Sequence, residues 1–206
     1  MAEVESNFPG IKIENSYGDP FVTGVQQDLN LIAAKPTGGN LLSLISKRFQ
    51  GVGTKTSADK KVVIHLGICD LTAQNSVGGG IEERGADIAG KNFTMPGTGK
   101  GSRVDYNPQG EAEYTTAVGI RTPTYVALAH ELIHALHVIS GDVKKLYDWN
   151  NGTALSSSGA IIEEARTVGL GRFLHTSISE NAIRRENQLP VRTYYSAAGD
   201  CDNVLV

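Results

Sequence analysis

Cysteine, tryptophan, positive charge and long apolar runs are what this chain has little of. Its 206 residues hold two cysteines and one tryptophan. Cys69 and Cys201 stand far apart, which gives no support for a disulfide framework; both are read as free thiols. No apolar stretch approaches the ~20 residues that a membrane-spanning helix needs. The N-terminus, Met-Ala-Glu-Val-Glu-Ser-Asn, is acidic and polar. It has neither the basic n-region nor the apolar h-region of a general secretory leader. The chain is therefore expected to be cytosolic, or exported by a route that leaves no cleaved apolar signal. A net charge of −3 offers nothing to nucleic acid or to an acidic membrane surface. With 40% apolar and 20% charged residues, the composition is that of an ordinary globular chain.

There is no internal repeat and no low-complexity tract. Residues 1–20 carry several turn formers (Asn7, Pro9, Gly10, Asn15, Gly18, Pro20) and read as an extended N-terminal segment; residues 21–206 read as one domain. Val22, Val25, Leu29 and Ile32 recur at helical spacing and predict a helix to Ala34. Pro36-Thr37-Gly38-Gly39 is expected to end it, and Asn40–Phe49 to form a second helix. Lys61–Leu66 is short and β-branched, a strand. Residues 76–100 are rich in glycine without a phosphate-binding signature and read as a long surface loop, with a short strand at Lys91–Met95. Ser102–Tyr106 alternates and is stopped by Asn107-Pro108, as an edge strand would be. Tyr106 and His175 are read as structural or surface residues.

The chemistry sits at His130-Glu131-Leu132-Ile133-His134-Ala135-Leu136-His137. Thr122 reads as an N-cap, Pro123 as the first helical residue and Gly141 as the stop. Wound at about 100° per residue, Leu128, Ala129, Leu132, Ile133, Ala135, Leu136 and Ile139 share one face. His130, His134 and His137 share the opposite one. Core packing does not explain such a helix. HExxH places two imidazoles one turn apart, where they can hold one Zn²⁺ per chain, with Glu131 beside them as general base. His137 lies further along the axis than a tetrahedral site would allow. It reads as a residue behind the ligands or in the pocket lining.

A third ligand must come from elsewhere. Ile161–Gly169 reads as a short helix whose buried face is marked by Ile161, Ala165 and Val168. Glu164 is expected nearer that face and is the chosen ligand; Glu163, expected to point away, is the alternative. Asp142 or Glu163 could hydrogen-bond a ligand imidazole. The expected architecture is α+β: a compact domain with a small twisted sheet and an edge strand beside the HExxH helix.

Two resemblances carry further. HELIH followed by Leu136-His137, the Glu163–Gly169 segment and the Arg-x-x-Tyr spacing of Arg192 and Tyr195 are similar to clostridial neurotoxin light chains, which are about twice as long. Pro36–Leu42, Gly101–Pro108, HELIH, the Glu-Glu segment, Glu180–Glu186 and Pro190-Val191-Arg192 together resemble the NleD-like family of bacterial type III effector metalloproteases. That resemblance spans roughly residues 11–196. It implies a zinc endopeptidase secreted by a bacterium into the cytoplasm of a host cell. The implied substrate is a host protein, with stress-activated MAP kinases cut in their activation loop as the family expectation. His130, His134 and Glu164 would hold zinc. Tyr195, or else Tyr194, would donate to the developing oxyanion. Arg192 would orient the tyrosine or bind a substrate carbonyl. A monomer acting without nucleic acid or membrane is expected. The competing readings are a toxin module of a polymorphic toxin and a non-catalytic zinc-binding effector that holds a host partner. Retention of Glu131 weighs against the last, because binding a metal does not require it.

Overall fold

The computed structural model describes residues 2–50, 60–66, 76–78, 101–109, 122–142, 147–148, 153–154 and 163–193. Among the described residues are seven strands: β1 (Glu3–Glu5), β2 (Ile11–Glu14), β3 (Val62–Leu66), β4 (Ser76–Gly78), β5 (Ser102–Tyr106), β6 (Tyr147–Asp148) and β7 (Thr153–Ala154). The α-helices are α1 (Asp19–Ala33), α2 (Pro36–Gln50), α3 (Thr124–Ser140), α4 (163–168) and α5 (Glu180–Glu186). The main sheet has the order β1-β2-β3-β5-β4. β2, β3 and β5 run parallel, while β1 and β4 are antiparallel to their neighbours. β6 and β7 form a separate two-stranded ribbon.

The sheet is two-faced because its strands alternate. Ile11, Ile13, Val62, Ile64, Val104 and Tyr106 point one way and are buried with Val25, Leu29, Leu41, Ile45, Leu128, Leu132 and Ile139 of the helices. Each such side chain contributes about 1.5–3 kcal/mol by leaving water. The opposite face is charged: Lys12 pairs with Glu5, Arg103 with Asp105, and His65 with Glu14. The fold is therefore a two-layer α+β arrangement with α3 in the middle of the helical layer, against β5, β4, α1, α2 and α5.

Several sequence expectations shift. Ser102–Tyr106 is a strand but not an edge: β4 pairs outside it and takes the edge beside α3. The stop at Asn107-Pro108 reports where the strand ends, not which neighbours it has. Pro36-Thr37-Gly38-Gly39 does not separate two helices but opens α2. Proline suits a first helical turn, where its missing N–H is not needed. Glu186 of α5 accepts from the Thr37 N–H at 3.0 Å and from the Thr37 hydroxyl at 2.8 Å, supplying the cap from another element. Within the segment read as extended, Glu3–Glu5 and Ile11–Glu14 are strands of the main sheet. The loop expected over residues 76–100 begins instead with a strand, β4 at Ser76–Gly78; its remainder, with the expected Lys91–Met95 strand, and Cys69 and Cys201 lie outside the described residues. Among the described residues no helix is long and apolar enough to cross a membrane.

Behind the start of α3, Tyr106 donates to Asp28, and the Thr124 hydroxyl reaches the other Asp28 oxygen at 3.4 Å. This ties α1, β5 and α3 together by one buried carboxylate. Burial raises the Asp28 pKa in spite of these hydrogen bonds.

Gly38 makes the close crossing of α1 and α2 possible: a Cβ there would lie 2.0 Å from the Ile32 carbonyl oxygen. Helix propensity alone would favour alanine by about 1 kcal/mol. We expect Gly38→Ala instead to destabilise the fold by about 1–3 kcal/mol. The reading is a lower urea midpoint at unchanged slope; an unchanged or raised midpoint would show that the crossing is not tight.

Candidate functional site

The helix α3 runs from Thr124 to Ser140, and Gly141 ends it with φ 66°, ψ 25°. That left-handed conformation costs glycine little, which is why the stop falls there. Thr122 is not the cap: Pro123 stands in that position, and the buried Thr122 hydroxyl instead accepts from Arg184 Nη2 at 2.5 Å. The apolar face expected from the sequence is buried throughout. The histidine face is covered too, by α4 and α5.

His130 Nε2, His134 Nε2 and Glu164 Oε2 converge. His130 Nε2 lies 3.1 Å from Glu164 Oε2, His134 Nε2 lies 3.2 Å from the same oxygen, and the two nitrogens are 3.1 Å apart. Three ligands at about 2.0–2.1 Å from a tetrahedral ion would stand some 3.3 Å from one another, close to this triangle. The tautomers make the same point. His130 turns Nδ1 to Glu180 Oε2 at 2.8 Å. A carboxylate only accepts, so that nitrogen carries a proton, and Nε2 offers a lone pair once its own proton gives way to a metal ion. His134 turns Nδ1 to Glu163 Oε1 at 3.4 Å and to the Thr167 hydroxyl at 3.3 Å. Two ring lone pairs and a carboxylate oxygen facing one another repel unless something positive joins them. His130, His134 and Glu164 can thus hold a metal ion.

The charges agree. Burial disfavours a charged His130, but hydrogen bonds to Glu164 and Glu180 outweigh it and raise the ring to about 9. Burial opposes charge on His134 as well, yet Glu163 and Glu164 carry it to about 10. Burial pushes the Glu164 carboxyl up, and its hydrogen bonds with His130 and His134 more than reverse that, leaving it well below the usual carboxylate range. The pocket is built to attract positive charge.

Around this triangle lie further partners. Glu180 is fully buried; its Oε2 also accepts from Arg192 Nη1 at 2.9 Å, and its Oε1 from Arg184 Nε at 2.6 Å. His137 is buried and donates from Nδ1 to Glu163 Oε1. Burial lowers the His137 pKa despite that carboxylate. Arg166 binds Asp142, at 2.5 Å to its carbonyl and 2.7 Å to its carboxylate. Between the two acids considered as a partner for a ligand imidazole, Glu163 is therefore the one beside His134, while Asp142 is engaged with Arg166. Glu131 is buried on α3, and its charge contributes to raising His134.

One piece of sequence reasoning is corrected. Glu163 does not point to solvent: its side chain is 9% exposed against 21% for Glu164. α4 is buried on its polar side as well, by the histidines of α3, so its apolar residues alone did not mark which acid was covered. Arg192 is buried on Glu180 rather than at the surface. Tyr194 and Tyr195 lie outside the described residues. The sequence reading missed Glu180 as the partner of His130, and Thr167 beside His134; no spacing rule singles out either.

A family model described as an effector protein, peptidase M91, matches residues 9–195. No curated protein matches the chain.

Two neighbouring acids with different partners give a direct test. Glu163→Ala removes a partner behind the imidazole and should weaken metal binding by about 10–100-fold. Glu164→Ala removes a donor atom and should weaken it far more. Isothermal titration with the metal-stripped protein measures both, and the reverse order would exchange the roles of the two acids.

Proposed function

The chain belongs to the peptidase M91 family of effector proteins, and from that premise we propose that it is a zinc-dependent, site-specific endopeptidase that a bacterium delivers into a host cell to cut a host protein. The observation that carries the zinc reading is the triangle of His130 Nε2, His134 Nε2 and Glu164 Oε2, a donor set of two imidazoles and one carboxylate that suits a catalytic zinc site. Zinc, when bound, supplies Lewis acidity, which makes water nucleophilic at neutral pH and polarises a peptide carbonyl.

The protein's own residues do the rest. Glu131 follows His130 on the same helix turn. Its carboxylate is the base that takes a proton from the attacking water and the acid that returns it to the leaving amine. The partners of the two imidazoles, Glu180 on α5 and Glu163 and Thr167 on α4, come from helices packed on α3, so little reorganisation accompanies the reaction. Glu180 holds the His130 ring by its Nδ1 proton, and Glu163 faces the back of His134. Both keep the lone pairs turned inward. The developing oxyanion of the substrate needs a hydrogen-bond donor from the protein, and Tyr195, with Tyr194 as alternative, is the residue proposed for it. The Arg192 guanidinium rests on Glu180, which supports an orienting part for this residue over contact with substrate. Asn181 adds to it: its side chain accepts from the Arg192 N–H and donates to the Arg192 carbonyl, each at 2.8 Å. The segment leading to the tyrosines is thereby anchored.

The substrate class is taken from the family: a host protein, with the activation loop of a stress-activated MAP kinase as the first candidate. The protein is proposed to act as a monomer in the host cytoplasm.

The test is to map new N-termini across a host-cell proteome, with wild type, Glu131→Ala and His134→Ala side by side in the presence of zinc. We expect termini that appear with wild type alone. Glu131→Ala should keep its fold and its zinc while losing cleavage by several orders of magnitude, and His134→Ala should lose the metal. Cleavage by Glu131→Ala at the wild-type rate would sink the mechanism. A folded, zinc-loaded wild type that produces no new termini in any host lysate would favour a zinc-binding effector that holds its partner without cutting it.

A further inference from the structure

His137 is the histidine of α3 that the chemistry above leaves unused. It is buried, so it does not line a substrate pocket. Its Nδ1 donates to Glu163 Oε1, and that same oxygen stands 3.4 Å from His134 Nδ1. The other oxygen of Glu163 lies 3.8 Å from Arg166 Nη1, and Arg166 is itself fixed on Asp142. Glu163 is thus gripped at one oxygen from α3 and steered at the other from its own helix. A carboxylate behind a ligand imidazole sets which ring nitrogen keeps the proton and how the ring is turned. What sets the carboxylate sets the ligand. Glu163 is also the immediate neighbour of Glu164, and a carboxylate this close to a cation competes to bind it.

We propose that His137 is a positioning residue of the metal site: it holds Glu163 against the back of His134 and away from the ion, so that Glu164 alone is the third ligand. This rests on reading His130, His134 and Glu164 as the zinc ligands.

One arrangement competes with it. His134 Nδ1, His137 Nδ1 and Glu163 Oε1 also lie close enough together to hold a cation. A second ion there would require His134 to bind metal through both ring nitrogens and so to lose both protons. It would also have to displace the hydrogen bond that already joins His137 to Glu163. One ion per chain, with a hydrogen-bonded His137, is the simpler chemistry.

The experiment compares His137→Leu, which keeps bulk and removes the donor, with His137→Asn, whose amide N–H falls near the Nδ1 position. Zinc per chain, the rate of zinc release to a chelator at fixed pH, and the visible spectrum of the cobalt-substituted protein are measured for each. Wild type should bind one zinc. His137→Leu should release it about 10–100-fold faster and show an altered cobalt spectrum, and His137→Asn should recover most of the loss. Release from His137→Leu at the wild-type rate overturns the proposal. So does equal impairment of Leu and Asn with an unchanged spectrum, which would mean packing alone. A wild type that binds two zinc ions, one of them lost in His137→Leu, would make His137 a ligand. A wild type that binds no zinc removes the zinc reading itself and this proposal with it. Should His137→Leu fail to fold by circular dichroism, His137→Gln replaces it, since its amide reaches the Nε2 position instead and should not restore the contact.

Discussion

The site hangs on one buried carboxylate. Glu180 is wholly removed from water, and an ion in that position is tolerable only if donors surround it. His130, Arg184 and Arg192 all do so, from α3, from α5 and from the C-terminal segment. Arg184 extends the reach, donating to Thr122 just before α3 and, at 3.2 Å, to the Pro190 carbonyl. The start of α3, the His130 ring and the segment that carries Arg192 are therefore referred to one point. Burial by itself would raise the Glu180 pKa; hydrogen bonding to His130 and the charges of His130, Arg192 and Arg184 bring it down to about 2. Its folded pKa is below its unfolded one, so its stabilising contribution is fully present above the unfolded value and is lost only as pH falls toward about 2. Across the neutral range this anchor does not titrate.

Three acids surround the histidine face, and their partners separate their roles. Glu180 is met by two arginines. Glu163 is met by His137 and lies near Arg166. Glu164, less buried than either, faces the two imidazole nitrogens. Arginine cannot give up its charge, so an acid paired with it is electrically spent. Glu164 retains its charge for whatever the ring nitrogens bind. Adjacent residues of one short helix thus serve different purposes because α3 offers each a different group.

How much of this the sequence revealed depends on whether the information was local. HExxH needs only one helix, so the convergence of His130 and His134 could be read from spacing, and so could the glycine stop at 141. The interior position of β5 could not, because its outer neighbour β4 comes from a glycine-rich stretch that gives no strand pattern. The start of α2 at Pro36 was hidden for a related reason: Pro-Thr-Gly-Gly reads as a break, and the acid that caps it, Glu186, is 149 residues away in sequence. The burial of Glu163 followed the same rule. Periodicity finds the apolar face of a helix but says nothing of a polar face that another helix covers. Glu180, flanked by polar residues in a seven-residue helix, had the look of a solvated charge.

The apolar core also divides where the site lies. α1, α2, α3 and the sheet share one cluster, whereas Ala165, Val168 and Leu170 of the α4 region form a second, joined by Phe173. Among the described residues the link between α4 and α3 is polar, through Glu164 to His130 and His134, Glu163 to His137, and Arg166 to Asp142. The turn after α4 is closely packed on the start of α5. Gly169 has φ 84°, and a Cβ there would meet the Ser179 hydroxyl at 2.6 Å. Ser179 caps α5 by accepting from the Ala182 N–H at 3.2 Å, so this close contact joins α4 and α5 into one piece that carries both Glu164 and Glu180. An ion shared between Glu164 and the two histidines would cross-link that piece to the main core. Anything that binds the docked form and not the undocked one stabilises it by mass action. A metal held by His130, His134 and Glu164 would then be as much a fastening between α3 and α4 as a reagent, with the Glu164 carboxylate serving both ends.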